Sequence, residues 1–171
     1  MANTYELITS STVGSGGAAS VTFSSIPQTY TDLLIFSSYR GAFSAPYDQL
    51  RINVNGTNSW AWKGVYGDGA SAGSETNSGQ TTTKVALGVG STATANTFSN
   101  DCFYIPNYTS SNYKSISADS VGENNATTAY AGLFADLNSS TTAITSITLA
   151  SQNGGNLLQY SSFYLYGIKN S

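Results

Sequence analysis

The chain predicts an all-β protein, an antiparallel two-sheet β-sandwich of jelly-roll type. Three observations carry that expectation. Apolar residues recur at spacing two in short runs, and no helical period lasts beyond about two turns. Charged residues make up 9% of the chain, against about 25% in an average soluble protein. Ser, Thr, Asn and Gly take their place, so long helix-favouring side chains are scarce, whereas Thr, Val, Ile, Tyr and Phe suit a pleated, half-buried surface. Finally, Gly-, Asn- or Pro-bearing turns separate the runs, as they do between the strands of two packed sheets.

Strands are expected at 4–11, 19–25, 31–40, 49–55, 60–66, 83–89, 98–105, 113–121, 127–137, 143–150 and 158–169. Val21 and Phe23 give 19–25 its inner face. Asp32 follows a turn and opens the apolar 31–40 run, where a turn-capping role fits it. In LRINVN, Leu50, Ile52 and Val54 face in and Arg51, Asn53 and Asn55 face out; Asn55-Gly56 then marks a turn. NSWAWKG puts Trp60 and Trp62 on one face of a strand. They could stack on a sugar ring, or fill the core or a subunit interface. Residues 67–80 read as one long polar loop. Val85, Leu87 and Val89 repeat the alternation, and Cys102 in NDCFYI is expected as a small buried side chain. In 127–137, Leu133 and Leu137 share one face and Tyr130 and Phe134 the other; the alternative there is a short helix. Ile147 and Leu149 mark 143–150.

The last strand departs from the rule that a half-exposed strand alternates apolar with polar. Phe163 and Leu165 point one way, and Tyr164, Tyr166 and Ile168 the other. Both sides are apolar, so the second side is expected to be covered by another subunit or by the edge of the second sheet, not by water. With 171 residues, 40% of them hydrophobic, and no linker, a single domain spanning 1–171 is expected.

Reactive chemistry is sparse. Six basic and nine acidic residues leave a net charge of −3 without a basic patch, which argues against nucleic acid as a partner. No run is long enough for a membrane helix, and MANTYELITSS lacks the basic start and apolar stretch of a signal peptide. There is no histidine, the commonest general base and metal ligand, and a single cysteine forms no internal disulfide. The acids Asp32, Asp48, Asp68, Asp101, Asp119, Asp136, Glu6, Glu75 and Glu123 are scattered, with no recognisable glycosidase pair. Asp68 and Glu75 in GDGASAGSE are too few oxygen ligands for a calcium loop. Sequon-like triplets at Asn55, Asn107, Asn125 and Asn138 are read as chance matches in an Asn/Ser/Thr-rich chain. No catalytic residue, metal site or cofactor is predicted. The candidate interaction residues are aromatic: Trp60 and Trp62, then Tyr104, Tyr108 and Tyr113 around the IPNYTSSNY turn, and Tyr160, Tyr164 and Tyr166 in the last strand.

Several stretches together carry a resemblance: SSIPQTYTDLLIFSSYRG, LRINVNG, IPNYTSSNYKSIS, TTAYAGLFADLNSSTTAITSITLAS and FYLYGIK. They resemble small virion structural proteins of tailed bacteriophages, especially phages of aquatic bacteria such as cyanobacteria. The resemblance spans nearly the whole chain and rests on strand-and-turn phrases. It implies a β-sandwich on the virion surface, assembled in the bacterial cytoplasm and present in several copies. The expected function is a non-enzymatic capsid decoration or cement protein. It would be a homo-oligomer, expected as a trimer, packed against other virion proteins such as the major capsid protein. The alternative is a receptor-binding tail-fibre or spike-tip domain whose Trp60 and Trp62 meet host surface glycans.

Overall fold

The computed structural model describes residues 4–124 and 129–169. Its strands are β1 (Tyr5–Thr12), β2 (Val21–Phe23), β3 (Asp32–Ser38), β4 (Tyr47–Val54), β5 (Trp60–Gly67), β6 (Ala72–Gln80), β7 (Thr83–Val89), β8 (Asn100–Ile105), β9 (Lys114–Gly122), β10 (Tyr130–Asn138), β11 (Ile147–Ser151) and β12 (Ser162–Ile168). They form two antiparallel sheets of unequal size, so the all-β two-sheet sandwich is observed. The larger sheet has eight strands in the order β1-β12-β3-β8-β9-β10-β5-β6, and the smaller has four in the order β2-β11-β4-β7.

The core lies between the sheets and is built by the alternating residues the sequence singles out. Leu50, Ile52 and Val54 of β4, Ile147 and Leu149 of β11, and Val21 and Phe23 of β2 face Leu33, Ile35, Phe103, Ile105, Phe163 and Leu165 of the larger sheet, all buried. Burying such side chains contributes about 1.5–3 kcal/mol each. β7 is buried along its whole length, because it crosses directly over β9 and β10. The Leu87 amide there donates to Ser120 Oγ (2.9 Å).

Strand β10 is a strand, not a helix; residues 127 and 128 of the expected run, and Asn125, lie outside the described residues. Phe134 sits opposite Gly64, and a Cβ on Gly64 would stand 2.6 Å from the ring. Glycine there lets the ring lie flat on the sheet. The Asn55-Gly56 turn is present, with φ of 51° and 66°. It does not close a hairpin: β4 pairs with β11 and β7, and the chain leaves the turn for β5 in the other sheet.

Two expectations are corrected. Residues 67–80 are not a long loop. Asp68 Oδ1 accepts from the amides of Ala70 (2.9 Å) and Ser71 (2.6 Å), which makes a tight turn, and β6 then returns along β5. Its Gly and Asn residues have little strand propensity; the backbone ladder to β5 holds them. Cys102 is half-buried, not buried, because it lies on the outward side of the larger sheet.

Polar groups tie the layers together. The Tyr39 hydroxyl donates to the Asp48 carbonyl (3.0 Å) and accepts from the Gly88 amide (3.0 Å). Arg40 is buried, and its guanidinium donates to the carbonyls of Ser91 (3.1 Å), Ala93 (2.8 Å) and Thr94 (2.6 Å), fixing the loop after β7.

Candidate interaction surface

The register of the larger sheet places its outward side chains in rows. One row runs Leu7, Tyr166, Leu34, Tyr104, Ser117, Ala135 and Lys63, across β1, β12, β3, β8, β9, β10 and β5. The next runs Ser10, Tyr164, Phe36, Cys102, Asp119, Leu133 and Val65. Among the described residues the large apolar side chains left exposed elsewhere are Tyr113 and Tyr160; Tyr5, Leu7, Phe36, Val65, Val121, Leu133, Leu137 and Tyr164 all fall on this side. Leu133 and Val65 are opposite one another and 58% and 55% exposed. Phe36 and Tyr166 meet edge to face at 6.0 Å between centroids. An outward face this apolar departs from the wet face that an antiparallel sheet usually presents.

Charge on this face is minimal. Asp32 is buried, accepting from the Tyr104 hydroxyl (2.8 Å) and the Asn107 amide (2.8 Å). It caps the turn after β8 rather than its own, and the hydrogen bond to its carboxylate raises the Tyr104 hydroxyl above the usual phenol range. Within the paired strands that leaves Asp119 on β9 and Lys63 on β5, both exposed, with β10 between them; the exposed Glu123 follows just past the end of β9. Burial, then the nearby Asp119 and Asp101, push the Cys102 thiol up, away from a reactive thiolate.

The predicted aromatic residues divide among three environments. Tyr104, Tyr164 and Tyr166 belong to the outward face. The smaller sheet packs on the Phe163–Leu165 side, so it does not cover Tyr164 or Tyr166. Trp60 and Tyr108 are core. Trp60 is 1% exposed, its indole N–H donating to the Thr57 carbonyl (3.2 Å), and the Tyr108 hydroxyl donates to the Pro27 carbonyl. Trp62 shares the inward side of β5 and is half-buried, with Lys84 Nζ 5.0 Å from its ring centroid. Trp60 and Trp62 therefore form no paired sugar platform. Tyr113 and Tyr160 are exposed on turns, and Tyr160 holds a left-handed φ of 72°.

A second concavity opens between the sheets near the β5–β6 turn, lined by Tyr47, Tyr66, Tyr130, Asp68, Glu75 and Lys84. Asp68 and Glu75 thus share a crevice, which sequence spacing does not show. Asp68 is committed to its turn, whose amides hold its carboxyl below the ordinary range, the reverse of a general acid. Glu75 is paired with the buried Lys84. Among the described residues no group of three or more His, Cys, Asp or Glu side chains is placed to hold a metal ion.

Sequence reasoning about single strands missed Leu7, Phe36, Val65 and Leu133 as surface residues. The available signal was the apolar content of both faces of 127–137, already visible for 158–169. Searched against models of protein families and against curated proteins, the chain matches none.

Proposed function

We propose that this chain is a non-enzymatic structural protein of a phage particle, a decoration or cement subunit on the capsid surface. The observation that supports this reading is the outward face of the eight-stranded sheet, apolar and carrying only Asp119 and Lys63 as exposed charges at the described outward strand positions. Such a face suits permanent contact with protein, since little charge has to be desolvated when it is covered. The strand-and-turn phrases that resemble those of small virion proteins are what suggest a phage particle as the setting. The receptor-binding alternative loses its paired tryptophan platform, because Trp60 is in the core.

The test is to purify particles from a lysate and probe them for the chain. Surface labelling of intact capsids with an antibody, at many sites per particle, is the expected result. Recovery of the chain only in the soluble fraction, or only at the tail tip, would overturn the capsid assignment.

A further inference from the structure

The outward face of the larger sheet has a local shape and charge pattern that fits itself. Leu133 and Val65 stand side by side as a ridge. A shallow groove lies on each side of that ridge along the strands. One is lined by Gly67, Ser74, Val121 and Asp119, the other by Thr76, Ser117, Ala135 and Lys63. Each groove thus holds one exposed charge from the paired strands, Asp119 in the first and Lys63 in the second, opposite in sign.

Within one chain Asp119 and Lys63 form no ion pair; the salt bridges among the described residues are Lys84–Glu75 and Lys169–Glu6. Two strand spacings across and two residues along the strand separate them, about 12 Å. Their midpoint falls on β10, between Leu133 and Ala135. A two-fold axis lying in the plane of the sheet face and passing over that point exchanges the two positions. It sets Asp119 of each copy against Lys63 of the other, twice, and brings the Leu133 ridges together at the centre. This is the self-complementarity an isologous contact requires. The axis lies over β10, so the contact covers the strands from β8 to β6, four strand spacings or roughly 19 Å, and strands of about 25 Å give roughly 480 Å² per partner, the size of a weak, reversible interface.

We infer that the β8-to-β6 part of this face is covered by a second copy of the same chain, in a two-fold dimer centred on Leu133 and closed by reciprocal Asp119–Lys63 pairs. The inference rests on the structural-protein reading only for its setting in a particle. It specifies a two-fold contact where the expectation from the sequence was a trimer.

Light scattering on the full chain over a series from micromolar to millimolar concentration, with sedimentation equilibrium for the dissociation constant, tests it. The expected mass is twice 17.8 kDa. Leu133→Arg should give a folded monomer, its folding checked by circular dichroism. Asp119→Lys and Lys63→Asp alone should each weaken the dimer by about tenfold or more, by setting like charges together. The double exchange, Asp119→Lys with Lys63→Asp, should restore the constant to near that of the parent. A monomeric parent, a trimer, a dimer indifferent to Leu133→Arg, or a double exchange without rescue would each overturn the inference. Its failure is separable from failure of the function: a dimer never found in particles sinks only the latter, and a monomer found on capsids only the former.

Discussion

The two outward faces of the sandwich both come from antiparallel strands, yet they differ. The smaller sheet turns Thr22, Thr148, Asn53 and Arg51 outward, and the Thr22 and Thr148 hydroxyls meet at 3.0 Å across β2 and β11. That is the alternation expected of a sheet with one wet side. The larger sheet turns out Leu7, Phe36, Tyr164, Leu133 and Val65. One fold therefore carries both a surface suited to water and a surface suited to protein, and side-chain parity along each strand is what separates them.

The largest expected effect sets adjacent residues of β10 against each other. Phe134 fills the core beneath Gly64, while Leu133 is open in the single chain. Phe134→Ala should cost about 3–5 kcal/mol. Leu133→Ala, measured at a concentration where the chain is monomeric, should stay within about 0.5 kcal/mol. Urea denaturation of both variants decides; equal losses would mean that Leu133 is not on an open face.

The inward side sharpens the contrast through pH. Burial pushes the Asp136 carboxyl up to about 8, opposed by the Lys84 charge, and pushes Asp101 up to about 7, opposed by hydrogen bonds from Ser99 and Ser37. Asp136 also accepts from the Thr83 hydroxyl, and each acid has one buried oxygen without a partner among the described residues. Between the ordinary carboxyl value of 3.8 and these raised values, the folded chain keeps protons that the unfolded chain has released. Stability should therefore fall as pH rises across that window and level off above it. Urea midpoints should be lower at the alkaline end, and Asp136→Asn should flatten the upper part of the decline. A midpoint that climbs with pH would contradict this.

A smaller effect lies in the turn before β12. Tyr160 is 65% exposed and sits at a φ of 72° that favours glycine. Tyr160→Gly should relieve that strain and stabilise the chain by about 1 kcal/mol; a lower melting temperature would show that the ring makes a contact worth more than the strain. The smallest effect returns to the polar face. Thr148→Arg should change stability by no more than about 0.5 kcal/mol and leave the molecular mass in solution unaltered, in contrast to the same residue introduced at Leu133. Loss of association on Thr148→Arg would reverse the assignment of the two faces.

Much of this was legible beforehand. Leu50, Ile52, Val54, Val21, Phe23, Ile147 and Leu149 declare their inward direction by period two, and all are buried. The doubled apolar content of 158–169 correctly signalled a strand with a second apolar side, though not which partner strands extend that side into a continuous face. β6 was hidden because Ser, Thr, Asn and Gly are as common in loops, and only pairing with β5 makes them a strand. Trp60 and Trp62 do share a face, but a sequence does not say which face is inward at the end of the sandwich.

Local chemistry thus determined the strand-forming segments, their alternation and the places where the backbone turns, since each depends on neighbours a few residues apart. Strand order, the division into eight and four, the placement of Asp119 and Lys63 on either side of β10, and the burial of Asp101 and Asp136 were decided by tertiary structure. These depend on pairings between residues distant in sequence, whose free energy appears only when the sheets close over one another.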